Sequence, residues 1–206
     1  MDGTLVNSAG IKTWAFGHLY EDYGQEVVDA VVSSHLKFQG VSRFEKFKLW
    51  QEDIMGESYT EAIGEELSVR FNHLVVDEVV QAPYIEGAQE FLEKHYKKLP
   101  LFLASATPEM ELREIVSRRG MKKYFQRVFG APATKAEILK KIAVENGWNP
   151  WEVLMVGDAV SDYEGAKLAG ADFVAICEDE SQVFSDNVEI RLPNLTELER
   201  FVYEQN

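Results

Sequence analysis

Two aspartates that follow an apolar run have the clearest metal-binding spacing in this sequence. The run 153–156 leads into Gly157-Asp158, and Asp162 comes four residues later. Such a run predicts a buried strand, so Asp158 would leave its carboxyl end and Asp162 would open the next helix. Two carboxylates that converge in this way suit a hard cation such as Mg²⁺, which prefers oxygen ligands. Taken alone, the pair is equally compatible with an ordinary polar turn.

Three other polar positions have the residue types that such a site would need. Asp2 lies in an Asp-Gly-Thr turn at the start of the chain, Ser105 follows the apolar run 99–104, and Lys135 follows a threonine typical of helix N-caps. A cation in the first turn of a helix is mildly unfavourable against the helix dipole, so Lys135 invites a functional explanation. Each residue also has a simpler interpretation as a turn, a capping hydroxyl or a solvated lysine.

The order of the elements brings these positions to one edge of a sheet. From about residue 83 onward, apolar runs alternate with helical stretches, which is typical of a parallel sheet with helices on both faces. In such sheets the carboxyl ends of the strands carry the chemistry. Residues from about 10 to about 82 predict successive helices instead. We therefore predict an α/β fold in which a parallel sheet with helices on both faces follows a helical segment.

Capping residues locate several helix ends near these positions. Thr107 begins a Thr-Pro-Glu sequence that predicts a helix start with Thr107 as its N-cap. Thr134 predicts a helix that ends at Gly147, and Ser161 predicts one that ends at Gly170.

Taken together, the motifs resemble those of the haloacid dehalogenase superfamily. Asp-Gly-Thr-Leu-Val at residues 2–6, a strand and Ser105, then Lys135, then a strand and Gly-Asp-x-x-x-Asp at residues 157–162 are similar to its four motifs in order. The first and fourth motifs are specific, whereas the second and third are single residues recognised by position. The resemblance implies a Rossmann-like parallel sheet core that is discontinuous in sequence, residues 1–10 and 84–206. The helical segment between them, residues 11–83, resembles the cap domain that is inserted in that family.

The resemblance implies a role for each matching residue in hydrolysis through an aspartyl-phosphate. Asp2 would be the general acid for the leaving oxygen and then the general base for water. Ser105 would donate a hydrogen bond to the phosphoryl group, and Lys135 would offset its charge. Asp158 and Asp162 would hold Mg²⁺ together with the backbone carbonyl of Asp2. The substrate-binding set is then Thr4, Ser105, Ala106 and Lys135, with Arg43 from the cap.

The attacking aspartate of this mechanism would stand directly before Met1. The family motif is Asp-x-Asp-Gly-Thr, in which Met1 is at the x position and Asp2 is the second carboxylate. The strand that normally leads into the first aspartate lies in the middle of the sheet, and its loss would leave unpaired strand edges. We expect a start site assigned too late, with a truncated fragment or a non-catalytic descendant as alternatives. The chain as written is expected to show no phosphatase turnover.

The aspartate at position 2 argues against two branches of the superfamily. A carbon–halogen hydrolase has no leaving alkoxide to protonate and usually lacks this aspartate, and the phosphonate-cleaving branch has alanine there. The start of the chain and the helical cap are most similar to phosphoglycolate phosphatases and their sugar-phosphate relatives. We predict a Mg²⁺-dependent phosphatase for a small phosphorylated metabolite, and the alternatives are a sugar-phosphate mutase or an inactive metal- or phosphate-binding regulatory module.

The cap is expected to set substrate specificity. Arg43 follows shortly after Gly40, which predicts a turn or hinge, and it is the candidate contact for a substrate anion. His35 and Lys12 are weaker candidates, because a solvated surface position explains each equally well. The aromatic residues of the cap are predicted to form its own core: Trp14, Phe16, Phe38, Phe44, Phe47 and Trp50.

Composition limits the other partners. The chain has 206 residues with 21 basic and 35 acidic side chains, and its net charge of −14 argues against nucleic acid or an anionic membrane as the main partner. The single cysteine, Cys177, allows no internal disulfide and favours a reducing compartment. With no long apolar run and no leader sequence, we expect a cytoplasmic monomer or homodimer.

Overall fold

The structure is a computed structural model, and it describes residues 1–177, 184 and 188–203. The predicted core range 84–206 therefore includes some residues that lie outside the described part of the chain. No helix within the described part is long and apolar enough to cross a membrane.

Four α-helices follow the first turn of the chain, and we call them the cap helices. They are α1 (Ala9–Leu19), α2 (Gln25–Lys37), α3 (Arg43–Leu49), which a π-helical turn (Trp50–Ile54) continues, and α4 (Glu61–Gln81). Helix α4 buries Leu67, Phe71, Val75 and Val79. These residues recur every four positions, so they form one apolar stripe along the helix. This stripe packs the cap against the rest of a continuous hydrophobic core.

Aromatic rings fill the centre of the cap, as predicted for three of the six. Phe16, Phe47 and Trp50 are buried, and the Phe16 ring stacks on Phe71 with centroids 4.2 Å apart. Phe44 is half-buried. The prediction was wrong for Phe38 and Trp14, which are 38% and 54% exposed. Trp14 lies on the outer side of α1, where its ring stacks on the imidazole of His18.

The remaining elements alternate between helix and strand. They are α5 (Ala88–His95), β1 (Phe102–Pro108), α6 (Glu109–Arg118), β2 (Arg127–Ala131), α7 (Lys135–Asn146), β3 (Leu154–Gly157), α8 (Val160–Ala169), β4 (Asp172–Ile176), β5 (Arg191–Leu192) and α9 (Leu198–Tyr203). All strand pairs are parallel: β1 with β2, and β3 with β4 and then β5. Among the described residues these two ladders are not hydrogen-bonded to each other. The α/β fold class is confirmed, while the domain boundaries stay a prediction.

Of the three helix starts predicted near the candidate residues, one is confirmed and two were wrong. Thr134 caps α7, because its hydroxyl accepts from the Glu137 N–H at 3.3 Å while the Glu137 carboxylate accepts from the Thr134 N–H. Two other starts were wrong. Strand β1 runs through Thr107 to Pro108, so α6 begins at Glu109, and α8 begins at Val160 rather than after Ser161.

One buried ion pair connects the cap to the core. Arg43, at the start of α3, donates to the carboxylate of Glu111 on α6 at 2.8 Å, and the two side chains are 4% and 3% exposed. The guanidinium also lies 4.5 Å from the centre of the Phe71 ring. Removing one partner of a buried pair leaves the other charge uncompensated, so this contact should hold α3 in place.

We predict that Glu111→Gln destabilises the chain by about 3 kcal/mol, because it leaves the Arg43 guanidinium buried without a counter-charge. Urea unfolding would measure the change. The matched control is Glu114→Gln, which breaks an exposed pair with Arg118 on the same helix and should cost less than about 0.5 kcal/mol. Equal losses in the two variants would contradict the assigned role of Arg43 and Glu111.

Candidate active site

A cavity of about 100 Å³ lies between the cap helices and the carboxyl ends of strands β1 and β3. The core contributes Asp2, Ser105, Ala106, Lys135, Asp158 and Asp162 to its lining. The cap contributes Lys12, Phe16, His35, Gly40, Arg43 and Lys46. The structure thus brings every predicted site residue except Thr4 to one cavity.

Both carboxylate oxygens of Asp2 accept hydrogen bonds. Ser8 donates to Oδ1 at 2.6 Å, and the Lys12 ammonium donates to Oδ2 at 2.6 Å. Lys12 also donates to the Thr107 hydroxyl at 3.1 Å, so it bridges Asp2 to strand β1. Sequence analysis gave Lys12 only as a weak candidate for a substrate contact. In the structure Lys12 instead pairs with Asp2, the residue predicted to serve as general acid and then general base.

These contacts decide the protonation state of Asp2. Burial alone would raise its pKa, but the Lys12 ammonium, the amino group of Met1 and the hydrogen bonds from Lys12 and Ser8 outweigh burial and hold the pKa well below its usual range. Asp2 is therefore ionised in the free protein. A group that must donate a proton would need its pKa raised first, and an incoming dianionic phosphoryl group would do so by like-charge repulsion.

Ser105 and Thr107 stand where β1 departs from regular pairing with β2. The register shifts between Ala104 and Pro108, so residues 105–107 are free of the regular ladder. The Ser105 hydroxyl donates to the Thr107 hydroxyl at 3.1 Å and accepts from the Thr107 N–H at 3.2 Å. This explains why Thr107 does not cap α6: its hydroxyl is used within the site.

Lys135 is held over the cavity by Asp162. Its ammonium donates to Asp162 Oδ1, and the two side chains are 12% and 6% exposed. The other carboxylate oxygen of Asp162 accepts from the N–H of Ala159, which stands just before α8. The capping of α7 by Thr134 therefore explains how Lys135 is placed, and Asp162 explains why a lysine is tolerated at that helix start.

Asp158 is packed against the first turn of the chain. The Thr4 hydroxyl donates to Asp158 Oδ1 at 2.6 Å, so Thr4 points at this carboxylate rather than into the cavity. Gly3 has a φ of 72°, and a Cβ there would lie 2.1 Å from Asp158 Oδ2, so only glycine fits. Burial and the charge of Asp162 raise the pKa of Asp158 to about 6. A buried carboxylate whose pKa is raised beside a second carboxylate indicates a place where a cation would be stabilising.

The donor chemistry here fits Mg²⁺. Asp158 and Asp162 offer carboxylate oxygens, and no main-chain N–H of the described residues donates to the carbonyl of Asp2. Mg²⁺ takes only one or two protein carboxylates and keeps waters or substrate oxygens for the rest. In line with that, the described residues hold no group of three or more Asp, Glu, His or Cys side chains able to enclose a metal.

The cap meets the cavity through a glycine turn and a group of cations. Gly40 has a φ of 75°, and a Cβ there would lie 2.2 Å from the Ser161 hydroxyl and 2.6 Å from Ala159 Cβ, so the turn rests directly on the start of α8. Arg43 lines the cavity while paired with Glu111, and its predicted contact with a substrate anion stays a prediction. Beside it, Lys46 donates to His35 Nδ1 at 3.0 Å.

Sequence analysis placed neither Ser8 nor Lys46 in the site, and it predicted Thr107 only as a helix cap. A weak signal existed for two of them. Lys46 is three residues after Arg43 on α3, which puts both side chains on one helix face, and Ser8 is four residues before Lys12. Thr107 had no such signal, because its partner Asp2 is 105 positions away.

Comparison with known proteins finds a family model and a relative that match most of this chain. Residues 1–176 match the family model described as haloacid dehalogenase-like hydrolase. A phosphorylated carbohydrates phosphatase of Thermotoga maritima is 26% identical over 181 residues, which cover 84% of this chain and 80% of that protein.

Solved structures extend this likeness over nearly the whole chain. A protein of Haemophilus somnus described as a predicted phosphoglycolate phosphatase superposes with a TM-score of 0.71 at 17% identity. The superposition covers 98% of this chain and 94% of the Haemophilus somnus chain. The HAD hydrolase YfnB of Bacillus subtilis, in a form bound to magnesium, has a TM-score of 0.71 at 16% identity with coverages of 98% and 95%. At these identities the structures establish a shared fold.

We predict that Lys12→Met costs about 2 kcal/mol at pH 7, because it removes the cation that faces the Asp2 carboxylate. A carboxylate with a lowered pKa stabilises the fold above its unfolded pKa of about 4, and this contribution fades as the pH falls further. The penalty of Lys12→Met should therefore shrink at pH 3, as urea unfolding at the two pH values would measure. Lys48→Met, at an exposed cap lysine, is the control, and a pH-independent penalty would contradict the pairing.

Proposed function

Because the chain belongs to the family of haloacid dehalogenase-like hydrolases, we propose that it is a phosphatase for small phosphate monoesters of the phosphoglycolate or sugar-phosphate type. The observation that carries this proposal is the convergence of Asp2, Ser105, Lys135, Asp158 and Asp162 on one cavity that the cap covers. The T. maritima relative, whose name refers to phosphorylated carbohydrates, supports the same substrate chemistry.

In the proposed reaction Asp2 moves the protons. It protonates the leaving oxygen of the ester, and it then removes a proton from the water that attacks the aspartyl-phosphate. Ser8 and Lys12 fix its carboxylate, and Lys12 limits how far its pKa can rise. Ser105 donates a hydrogen bond to a phosphoryl oxygen, and Lys135 lies beside it to offset the negative charge that spreads over the oxygens.

The attacking carboxylate is proposed to belong to the position directly before Met1. The main-chain nitrogen of Met1 is buried and lies within electrostatic reach of Asp2, Lys135, Asp158 and Asp162. A residue attached to that nitrogen would therefore start from the middle of these charged groups. This supports placing the nucleophile there, in line with the Asp-x-Asp-Gly-Thr pattern.

Mg²⁺ is proposed to be held by Asp158, Asp162 and the carbonyl oxygen of Asp2. When bound, it would neutralise charge on the phosphoryl oxygens. Asp162 also holds the Lys135 ammonium, so this one carboxylate would connect the metal site to the phosphoryl-binding lysine. Thr4 and Gly3 keep Asp158 in position.

We predict that the 206-residue chain hydrolyses no phosphate ester, and that the same chain extended before Met1 by an apolar strand ending in Asp does. Release of inorganic phosphate from 2-phosphoglycolate and glucose 6-phosphate would be measured. The matched control carries the same extension ending in Asn, which cannot form an acyl phosphate and should stay inactive. Turnover by the 206-residue chain, with its amino terminus verified, would sink the assigned roles.

We predict that Mg²⁺ raises the melting temperature of the chain and that Asp158→Asn abolishes this shift. A ligand that binds only the folded state stabilises it, and a gain of about 1 kcal/mol corresponds to about 2–4 °C for a chain of this size. Without Mg²⁺ the Asp158→Asn variant should melt no lower than the unsubstituted chain, because the substitution relieves the repulsion between Asp158 and Asp162. Asp53→Asn, at an exposed position of the cap, should keep the full shift, and an undiminished shift in Asp158→Asn would rule out this metal site.

A further inference from the structure

Three of the four basic side chains in the cavity already have carboxylate partners. Lys12 is paired with Asp2, Lys135 with Asp162, and Arg43 with Glu111. Lys46 is different, because no carboxylate of the described residues lies within ion-pair distance of its ammonium group. The cap side of the cavity therefore contains one cation without a counter-charge.

The ammonium of Lys46 is buried beside groups that do not neutralise it. Lys46 is 4% exposed, and its Nζ lies 3.0 Å from His35 Nδ1 and 5.3 Å from the centre of the Phe16 ring. An ammonium has only donors, so His35 Nδ1 must accept and the imidazole must be neutral. This agrees with the pKa of His35, which burial and the charges of Lys46 and Lys12 lower to about 3.

A buried, unpaired cation is costly, and this one is also surrounded by like charge. Burial, together with the charges of Lys12 on α1 and Arg43 on α3, lowers the pKa of Lys46 to about 7, and the charge of Glu45 offsets this only in part. The neighbour from α2 is the neutral His35. Such a cost is usually tolerated where a ligand relieves it, and Lys46 faces the cavity in which the ester would bind.

The cavity reaches from the core groups to Lys46. Its lining includes Ser105 and Lys135 on the core side and Lys46 on the cap side. Ser105 and Lys135 would take the phosphoryl group at the core side, which leaves room for a short carbon chain toward α3. A compact molecule with an anion at each end matches the two cationic ends of this space.

We infer that Lys46 binds a second anionic group of the substrate, a carboxylate or a further phosphoryl group, at the cap side of the cavity. This inference rests on the proposed phosphatase function, and it names the substrate class as small phosphate esters that carry another negative charge. Arg43, which sequence analysis favoured for this task, is already neutralised by Glu111. Lys46 is therefore the specificity-determining cation.

Binding of stable phosphonates to the 206-residue chain without substitutions tests the inference. In the presence of Mg²⁺, calorimetry would compare propylphosphonate with 3-phosphonopropionate and 1,3-propylenediphosphonate, which have the same carbon chain and add a carboxylate or a second phosphonyl group. We expect at least one of the two doubly anionic compounds to bind about ten-fold more tightly than propylphosphonate. The tighter of the two identifies the second group as carboxylate or phosphoryl.

Lys46→Met should reduce this preference to about two-fold or less, whereas Lys48→Met, at an exposed lysine of the same helix, should preserve it. Binding of propylphosphonate should be the same in all three proteins. Two results would overturn the inference while leaving the phosphatase proposal intact. One is an unchanged preference of Lys46→Met for the doubly anionic compounds, and the other is equal affinity of the unsubstituted chain for all three compounds. Failure of every phosphonate to bind would overturn both.

Stability separates a binding role for Lys46 from a structural one. A lysine whose pKa is lowered in the folded state destabilises the fold at neutral and lower pH, and this cost declines as the pH rises from about 7 toward the unfolded value of about 10.4. Lys46→Met should therefore raise the melting temperature at pH 6, with a smaller gain at pH 9. A lower melting temperature at pH 6 would show that the fold needs this ammonium, and it would overturn the inference.

Discussion

Buried charge has to be compensated, and the arrangement of this protein follows from that constraint. Three carboxylates and four cations share a small cavity that the cap covers. Two cation–carboxylate pairs form within the cavity, at Lys12 and Lys135, and Arg43 finds its partner in Glu111 of the core. Two charged groups of the cavity have no partner among the described side chains. Asp158 has no cation near its carboxylate, and Lys46 has no carboxylate near its ammonium group. These two residues are the basis for the proposed metal ion at the core side and the proposed substrate anion at the cap side.

The parallel sheet explains why the core half of the cavity can exist. Strands β1 and β3 end at the same edge, so Ser105 and Asp158 converge although they are far apart in sequence. The irregular end of β1 frees Thr107 to contact Asp2, and the capped start of α7 directs Lys135 at Asp162. Each of these features is local, but together they bring the residues proposed for proton transfer, phosphoryl binding and metal binding to one cavity.

Sequence analysis predicted the fold class correctly and named the core residues that line the cavity, because both depend on short-range signals. The run before Asp158, the alternation of strands and helices and the cap at Thr134 are all local patterns. Contacts between distant segments were not predictable in the same way. Thr107 has good helix-capping chemistry, yet its hydroxyl is used by Ser105 and Asp2. Arg43 was predicted to bind a substrate anion because the sequence does not reveal that Glu111 of α6 would neutralise it.

The central claim is that one cavity binds a phosphoryl group at the core side and a second anion at the cap side. The most direct measurement is a crystal structure of the unsubstituted chain with Mg²⁺ and 3-phosphonopropionate. We predict the phosphonyl group within hydrogen-bond distance of Ser105 and Lys135, the metal at Asp158 and Asp162, and the carboxylate on the ammonium of Lys46. A ligand bound with its carboxylate toward Lys135, or bound outside this cavity, would contradict the account.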